Sequence, residues 1–110
     1  MGDVREFSVE LTDGAMGDLR AIKAYIGETL LEPLAARRIA TGILSTADAL
    51  SVMPMRNRVL LETSDGLEVR SARSASYTLC YLVCDDVVRV FAVLYSASDV
   101  TGRLERLLER

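Results

Sequence analysis

Two apolar runs lie almost end to end in this chain, YTLCYLVC at residues 77–84 and VVRVFAVLY at residues 87–95, with only Asp85-Asp86 between them. Each run has the length of a strand, and both of its alternating faces are apolar except at Arg89. A strand that is apolar on both sides must be covered on both sides, so the pair is expected to be interior and joined as a hairpin. The acidic break contains no glycine, which leaves the turn type open. Everything else in the chain must be arranged around the middle of a sheet.

The flanking segments can supply that cover. Phe7, Val9 and Leu11 alternate with Glu6, Ser8 and Glu10, the period of a strand with one wet face. Thr12 and Asp13 then provide a cap and an acidic first turn. Ala15, Met16, Leu19, Ile22, Ile26 and Leu30 recur at helical spacing, although Gly14 and Gly17 each cost about 1 kcal/mol relative to Ala if helical. Pro33 suits the first position of a second helix, whose apolar positions are Ala36, Ile39, Ala40, Ile43, Leu44, Ala47 and Leu50, ending before Pro54. The short join predicts an antiparallel helix pair.

The segment MPMRNRVLLETSDG is expected to be a loop ending in an Asp65-Gly66 turn, followed by a strand through Leu67, Val69 and Ser71. Ser96 or Ser98 can cap a short last helix with apolar positions Val100, Leu104, Leu107 and Leu108. The expected order is β-α-α-β-β-β-α. This is an α+β domain spanning residues 1–110, with a helical hairpin packed on one face of a small, largely antiparallel sheet.

Composition excludes several classes. A chain of 110 residues, half hydrophobic and about a quarter charged, suits one ordinary globular core. Its longest uncharged apolar run, Tyr77 to Cys84, is far below the ~20 residues of a membrane helix. The start, MGDVREFSVE, has no basic segment leading into an apolar one, so no secretory signal is expected and a cytoplasmic location follows.

The net charge of −3 argues against a surface that binds nucleic acid everywhere. Of the 13 cationic residues, 12 are Arg and only Lys23 is Lys, so local arginine patches for anionic groups are still available. Cys80 and Cys84, four apart in one strand, would have Cα atoms ~13 Å apart, too far for a disulfide. With no His in the chain, no zinc site is expected and the cysteines read as small buried hydrophobes; neither metal nor cofactor is called for.

Three segments in order, FSVELTDGAMGDLRAIKAYI, AARRIATGILSTADALSVMP and Y-x-L-x-Y-x-V-x-DDVVRVFAVLY-x-x-x-D, resemble the RelE/ParE family of toxins from bacterial type II toxin–antitoxin modules. The resemblance runs from about Phe7 to Asp99 and implies the fold derived above. It also implies a cognate antitoxin as partner, with self-association of the free protein as a further expectation. Two mechanisms occur among such toxins. RelE-like members resemble ribonucleases that cut messenger RNA on the ribosome, and ParE-like members resemble inhibitors of DNA gyrase associated with plasmid stabilisation and growth inhibition.

Cutting RNA requires activation of the 2′-hydroxyl, cations for the phosphorane and protonation of the leaving oxygen. Arg73 stands four residues before Tyr77, where the RelE-like pattern keeps an Arg on the sheet, and is the candidate for phosphate contact. Arg70 falls on the opposite face of an ideal strand. Tyr95 occupies a position where many family members have His. A Tyr with an ordinary pKa of about 10 is a poor base at neutral pH, though it can donate a proton or stack on a base. Ser98 stands where RelE-like enzymes tend to have a second cation, and their strand lysines find no counterpart. Glu68 and Asp99 are the carboxylates that could act as base, although Asp99 also reads as the residue that starts the last helix, where the dipole favours it.

These departures favour a ParE-like toxin that binds DNA gyrase; the ribosome with its mRNA, or an inactive antitoxin-binding relative, is the alternative. Arg37, Arg38, Arg56 and Arg58, with Asp48 the only acid between Arg37 and Arg58, are the candidates for target binding. Leu104, Leu107 and Leu108 are the candidates for antitoxin binding. Each has an ordinary structural role as its competitor: an exposed strand Arg for Arg73, a hydrogen-bonded core Tyr for Tyr95, a solvated helix face for Arg37-Arg38.

Overall fold

A computed structural model describes residues 6–109; residues 1–5, part of the stretch expected to carry no secretory signal, lie outside them. The elements are β1 (Ser8–Leu11), α1 (Asp13–Ala24), α2 (Pro33–Ala49), β2 (Val59–Glu62), β3 (Glu68–Ser74), β4 (Tyr77–Cys84), β5 (Val87–Tyr95) and α3 (Val100–Leu108). One π turn, Tyr25–Thr29, closes α1, and a 3-10 turn, Pro54–Arg56, precedes β2. The five strands form one sheet in the order β1-β5-β4-β3-β2. β1 pairs parallel to β5, and every other pair is antiparallel.

The two apolar runs pair with each other as β4 and β5 in the interior of this sheet. Their turn uses Asp85 at φ 56°, a left-handed conformation that Asp tolerates better than most residues. Against β4 and β5 lie α1 and α2. Leu79, Tyr81, Val88, Val90 and Val93 share one core with Leu19, Ala40, Ile43 and Ala47, and Ile22 and Ile39 pack against it. The helical periodicity is therefore used as expected, apart from Leu30 and Leu44, which are exposed. Thr12 caps α1, its hydroxyl accepting from Ala15 N at 3.2 Å.

Three features depart from the expected order. Val59–Glu62 lies in the segment read as loop, yet it pairs with β3 and adds a fifth strand, giving β-α-α-β-β-β-β-α. It is four residues long, irregular in register between Val59 and Leu61, and its Val-Leu-Leu run does not alternate. The last helix is capped not by Ser96 or Ser98 but by Asp99, the other residue read as its start: the Asp99 carboxylate accepts from Gly102 N at 3.1 Å. Third, α3 covers the sheet face opposite the hairpin. Leu104, fully buried, meets Val69, Cys80, Ala92 and Leu94 there, so both faces of the apolar strands are covered.

A bulge decides which way the end of β5 points. Cys80 pairs with Ala92 and Tyr81 with Val90, leaving Phe91 as an extra residue on β5. Val88 and Val90 face the helices before the bulge, and Val93 faces them after it. Unbroken alternation from Val88 would have put Tyr95 on the α3 side; the extra residue turns it to the helix side. Both cysteines are free. Burial, with a smaller contribution from the nearby Asp18 carboxylate, pushes the Cys80 thiol up to about 12, so it behaves as a small core hydrophobe.

Candidate functional site

On the α3 side of the sheet, a cleft of about 480 Å³ opens between β3, the start of β4 and the loop leading into α3. Arg73 pairs with Thr78 across β3 and β4, on the same face as Val69 and Ser71. Arg58, just before β2, lines the same cleft, so the strand that the sequence concealed brings a second guanidinium to Arg73. Arg73 Nε donates only weakly to Ala75 O, at 3.4 Å. The ion pairs among the described residues, Arg70 with Glu68 and Arg89 with Glu10, use neither of these arginines.

Ser71, Thr78, Ser96, Ser98 and Thr101 add hydroxyls to the lining, beside Leu60, Ala72, Asp99 and Val100. The Thr78 and Ser96 hydroxyls are 2.7 Å apart, and Ser98 Oγ donates to Tyr95 O at 2.5 Å. Two guanidiniums beside hydroxyls, of which Ser98 and one of Thr78 and Ser96 already donate within the protein, have the chemistry to hold a phosphoryl or carboxylate group. The sequence points to Ser96 and Ser98 as cap candidates, and to Ser98 as the place of a missing cation, but to none of the five as a ligand. Thr78 is marked as well, as a polar residue inside an otherwise apolar run.

The residues that would have to move protons are arranged differently. Among the described residues Asp99 is the only carboxylate lining the cleft, and it is held by Gly102 N as the cap of α3. Glu68 lies elsewhere, bonded at 2.9 Å to Arg70, whose other Nη donates to Asn57 O at 2.6 Å. Arg70 pairs with Tyr81 on the helix side, as the alternation from Arg73 requires. Tyr95 does not meet Arg73. It lines a separate apolar groove of about 670 Å³ under the hairpin, where its ring packs edge-on against Tyr77 at 5.9 Å and Tyr25, Ile26, Leu30 and Ile39 complete the wall. Burial, and then the neighbouring Tyr95 and Tyr25, hold the Tyr77 hydroxyl above its usual pKa.

The four arginines expected to bind a target do not form one patch. Arg37 faces a groove on the hairpin with Arg20 and Lys23, Arg58 faces the sheet cleft, and Arg38 and Arg56 are exposed. Of the three leucines expected to bind an antitoxin, Leu104 is fully buried beneath α3, whereas Leu107 and Leu108 are more than a third exposed. Among the described residues no three His, Cys, Asp or Glu side chains come together as metal ligands, and no helix is long and apolar enough to cross a membrane.

Comparison with known proteins identifies the class. Residues 9–100 match the family described as the ParE toxin of the type II toxin–antitoxin system parDE. Toxin RelE2 of Caulobacter vibrioides is 35% identical over 83 residues, covering 76% of this chain and 88% of that protein. A chain of the chromosomal ParDE system of P. aeruginosa superposes with a TM-score of 0.70 at 17% identity, covering 83% of this chain and 97% of that one. A chain of the RelBE2 toxin–antitoxin complex of Mycobacterium tuberculosis gives 0.59 at 26% identity over 82% and 98% of the two chains. For the archaeal RelE–RelB complex of Pyrococcus horikoshii the TM-score is 0.54 at 20% identity, over 84% and 97%. The five-stranded sheet roofed by a helical hairpin is thus the fold of RelE/ParE toxins, and the chain belongs to the ParE toxin family of type II toxin–antitoxin modules.

Proposed function

We propose that this toxin acts as ParE-like members do, by binding DNA gyrase, and that it does so without cutting RNA. The observation that carries this reading is the composition of the Arg58/Arg73 cleft. It can hold an anionic group, but the only carboxylate among its described lining residues is engaged as the cap of α3, and Tyr95 is turned to the other face of the sheet. Phosphoryl transfer from a 2′-hydroxyl needs a base and an acid beside the cations. A protein contact needs only the charge and the hydroxyls, with Arg37, Arg38 and Arg56 lying outside this cleft.

The cognate antitoxin is the second partner in this reading. Leu107 and Leu108 present apolar surface for one of its segments, and Leu104 would join them only if α3 were lifted. Left uncovered in the free toxin, the same surface favours self-association, and a gyrase target implies a cytoplasmic site of action. A second reading, ribosome-dependent cleavage of mRNA, is favoured by one feature: Arg58 and Arg73 share a cleft that would suit a phosphate.

Expression of the chain alone in a bacterium separates the readings. Gyrase binding predicts relaxed plasmid DNA and a DNA-damage response with intact transcripts. Transcripts cut within codons on normally supercoiled DNA would reject it in favour of the nuclease.

A further inference from the structure

Three of the chain's four tyrosines, Tyr25, Tyr77 and Tyr95, line the groove of about 670 Å³ between the bend of the hairpin, the start of β4 and the end of β5. The fourth, Tyr81, is buried in the core. The rings of Tyr77 and Tyr95 are inclined at 62°, so they do not stack and hide each other's faces. Burial first, and then Tyr95 and Tyr25, raise the Tyr77 hydroxyl, which keeps that ring neutral. The volume is that of a site for a small molecule, about 300–1,000 Å³.

The bend that forms one wall is held by its own backbone. Leu30 N donates to Tyr25 O and Glu32 N to Ile26 O, each at 3.0 Å, around the π turn. Between them Leu31 is left-handed, at φ 57°, a conformation that a leucine keeps only where its surroundings impose it. The reversal brings Glu32 into the lining with the tyrosines. No Lys or Arg is among the described lining residues, and Glu32 and the three tyrosine hydroxyls have no hydrogen-bond or ion-pair partner among the described residues. Ring faces and an unneutralised carboxylate attract a cation and repel an anion. Ile26, Ala35 and Ile39, less exposed than the rim, offer apolar surface beside them.

We propose that this groove binds a small organic cation: one ammonium or guanidinium head, held by Glu32 and the tyrosine rings, on an uncharged tail that lies against Ile26 and Ile39. One carboxylate matches one positive head. A polyamine would bring further charges that find no acid in the lining, and an anion would meet only repulsion. The site rests on its lining alone, and stands whether or not the chain binds gyrase.

The test uses the full chain and its tyrosine fluorescence, which no Trp obscures and to which the groove contributes three of four emitters. The probe is phenethylammonium. Its trimethylated derivative, the neutral phenethyl alcohol, the anion hydrocinnamate and spermidine are compared with it, and calorimetry gives each affinity. Both monocations are expected to bind saturably, the alcohol about tenfold more weakly, and the anion not at all. Glu32→Gln should lose about tenfold in affinity for phenethylammonium. Tyr95→Leu should lose about three- to tenfold, while Tyr95→Phe, which keeps the ring face, retains most of the binding. Glu105→Gln, an acid removed from α3, should bind as wild type does.

Equal affinity for the alcohol and the ammonium would overturn the proposal, leaving an apolar groove without charge selection. So would unchanged binding by Glu32→Gln, or spermidine binding more tightly than phenethylammonium. In a second arm a short glycine peptide carrying one central arginine replaces the free cation. If the peptide binds and the free monocations do not, the groove belongs to a side chain of a protein partner and the small-molecule assignment fails. Thermal melts report that each variant is folded. Glu32 is exposed and unpartnered among the described residues, so Glu32→Gln decides the matter even where a tyrosine variant does not fold.

Discussion

The carboxylate of Asp18, on α1, accepts a hydrogen bond from the backbone N–H of Val93, on β5, at 2.9 Å. β1 stops pairing with β5 at Val90, so beyond that point the edge of β5 would otherwise offer free donors to another strand. Asp18 therefore both fastens the hairpin to the sheet and blunts an edge. Asp18→Ala is expected to cost about 1.5–3 kcal/mol, as for a partly buried bond to a charged group. Asp18→Asn, which keeps an acceptor, should cost less; urea unfolding of the two variants makes the comparison. Equal, negligible losses would show that the bond does not hold α1 to β5.

Tyr81 is the largest fully buried side chain, and its hydroxyl donates to Pro54 O at 2.5 Å. Pro54 is itself buried, in the turn that brings Arg56 and Arg58 towards β2. Tyr81→Phe is expected to lower stability by about 1–2 kcal/mol because the Pro54 carbonyl loses its partner away from water. Hydrogen exchange should speed up in β2 before it does in β5.

Much of this architecture was legible because hydrophobic periodicity is a local property. The β4–β5 hairpin, the Thr12 cap and the restart at Pro33 are each written within a few residues. What escaped is decided by distant partners. Val59–Glu62 becomes a strand only because β3 lies beside it, and its consecutive Val-Leu-Leu gives no alternation to detect. The Phe91 bulge separates Tyr95 from Arg73 through a pairing offset that β5 does not reveal on its own. Arg58 joined Arg73 for the same reason that β2 was missed. The bond from Asp18 spans 75 residues of sequence.

The last helix depends on its cap and on one buried leucine. Asp99→Ala should cost about 1 kcal/mol and raise hydrogen exchange through α3. Gly102→Ala should act similarly, since a Cβ at Gly102 would overlap the Asp99 carboxylate that caps it. Leu104→Ala, which empties the centre of the second core, is expected to cost about 2–4 kcal/mol in a denaturant titration.

Alkaline pH should reveal the buried thiol. Cys80 is held near pH 12 in the folded chain against an ordinary value of 9.0, so between those limits the unfolded chain has lost a proton that the folded chain keeps. Stability contributed by the neutral thiol is complete below about pH 9 and falls above it, by up to ~1.4 kcal/mol per pH unit. Cys80→Ala should flatten the fall between about pH 9 and 10, before the raised tyrosines Tyr77 and Tyr81 contribute in the same direction. An unchanged slope in this variant would mean that the thiol is not the titrating group.

Binding without hydrolysis is tested most directly by adding the purified chain to DNA gyrase in a plasmid supercoiling assay, with ribosomes translating a defined mRNA in a parallel reaction. Gyrase supercoiling should be inhibited in proportion to the amount of chain added, and the mRNA should remain full length. Undiminished supercoiling beside discrete, ribosome-dependent cuts in the mRNA would contradict it.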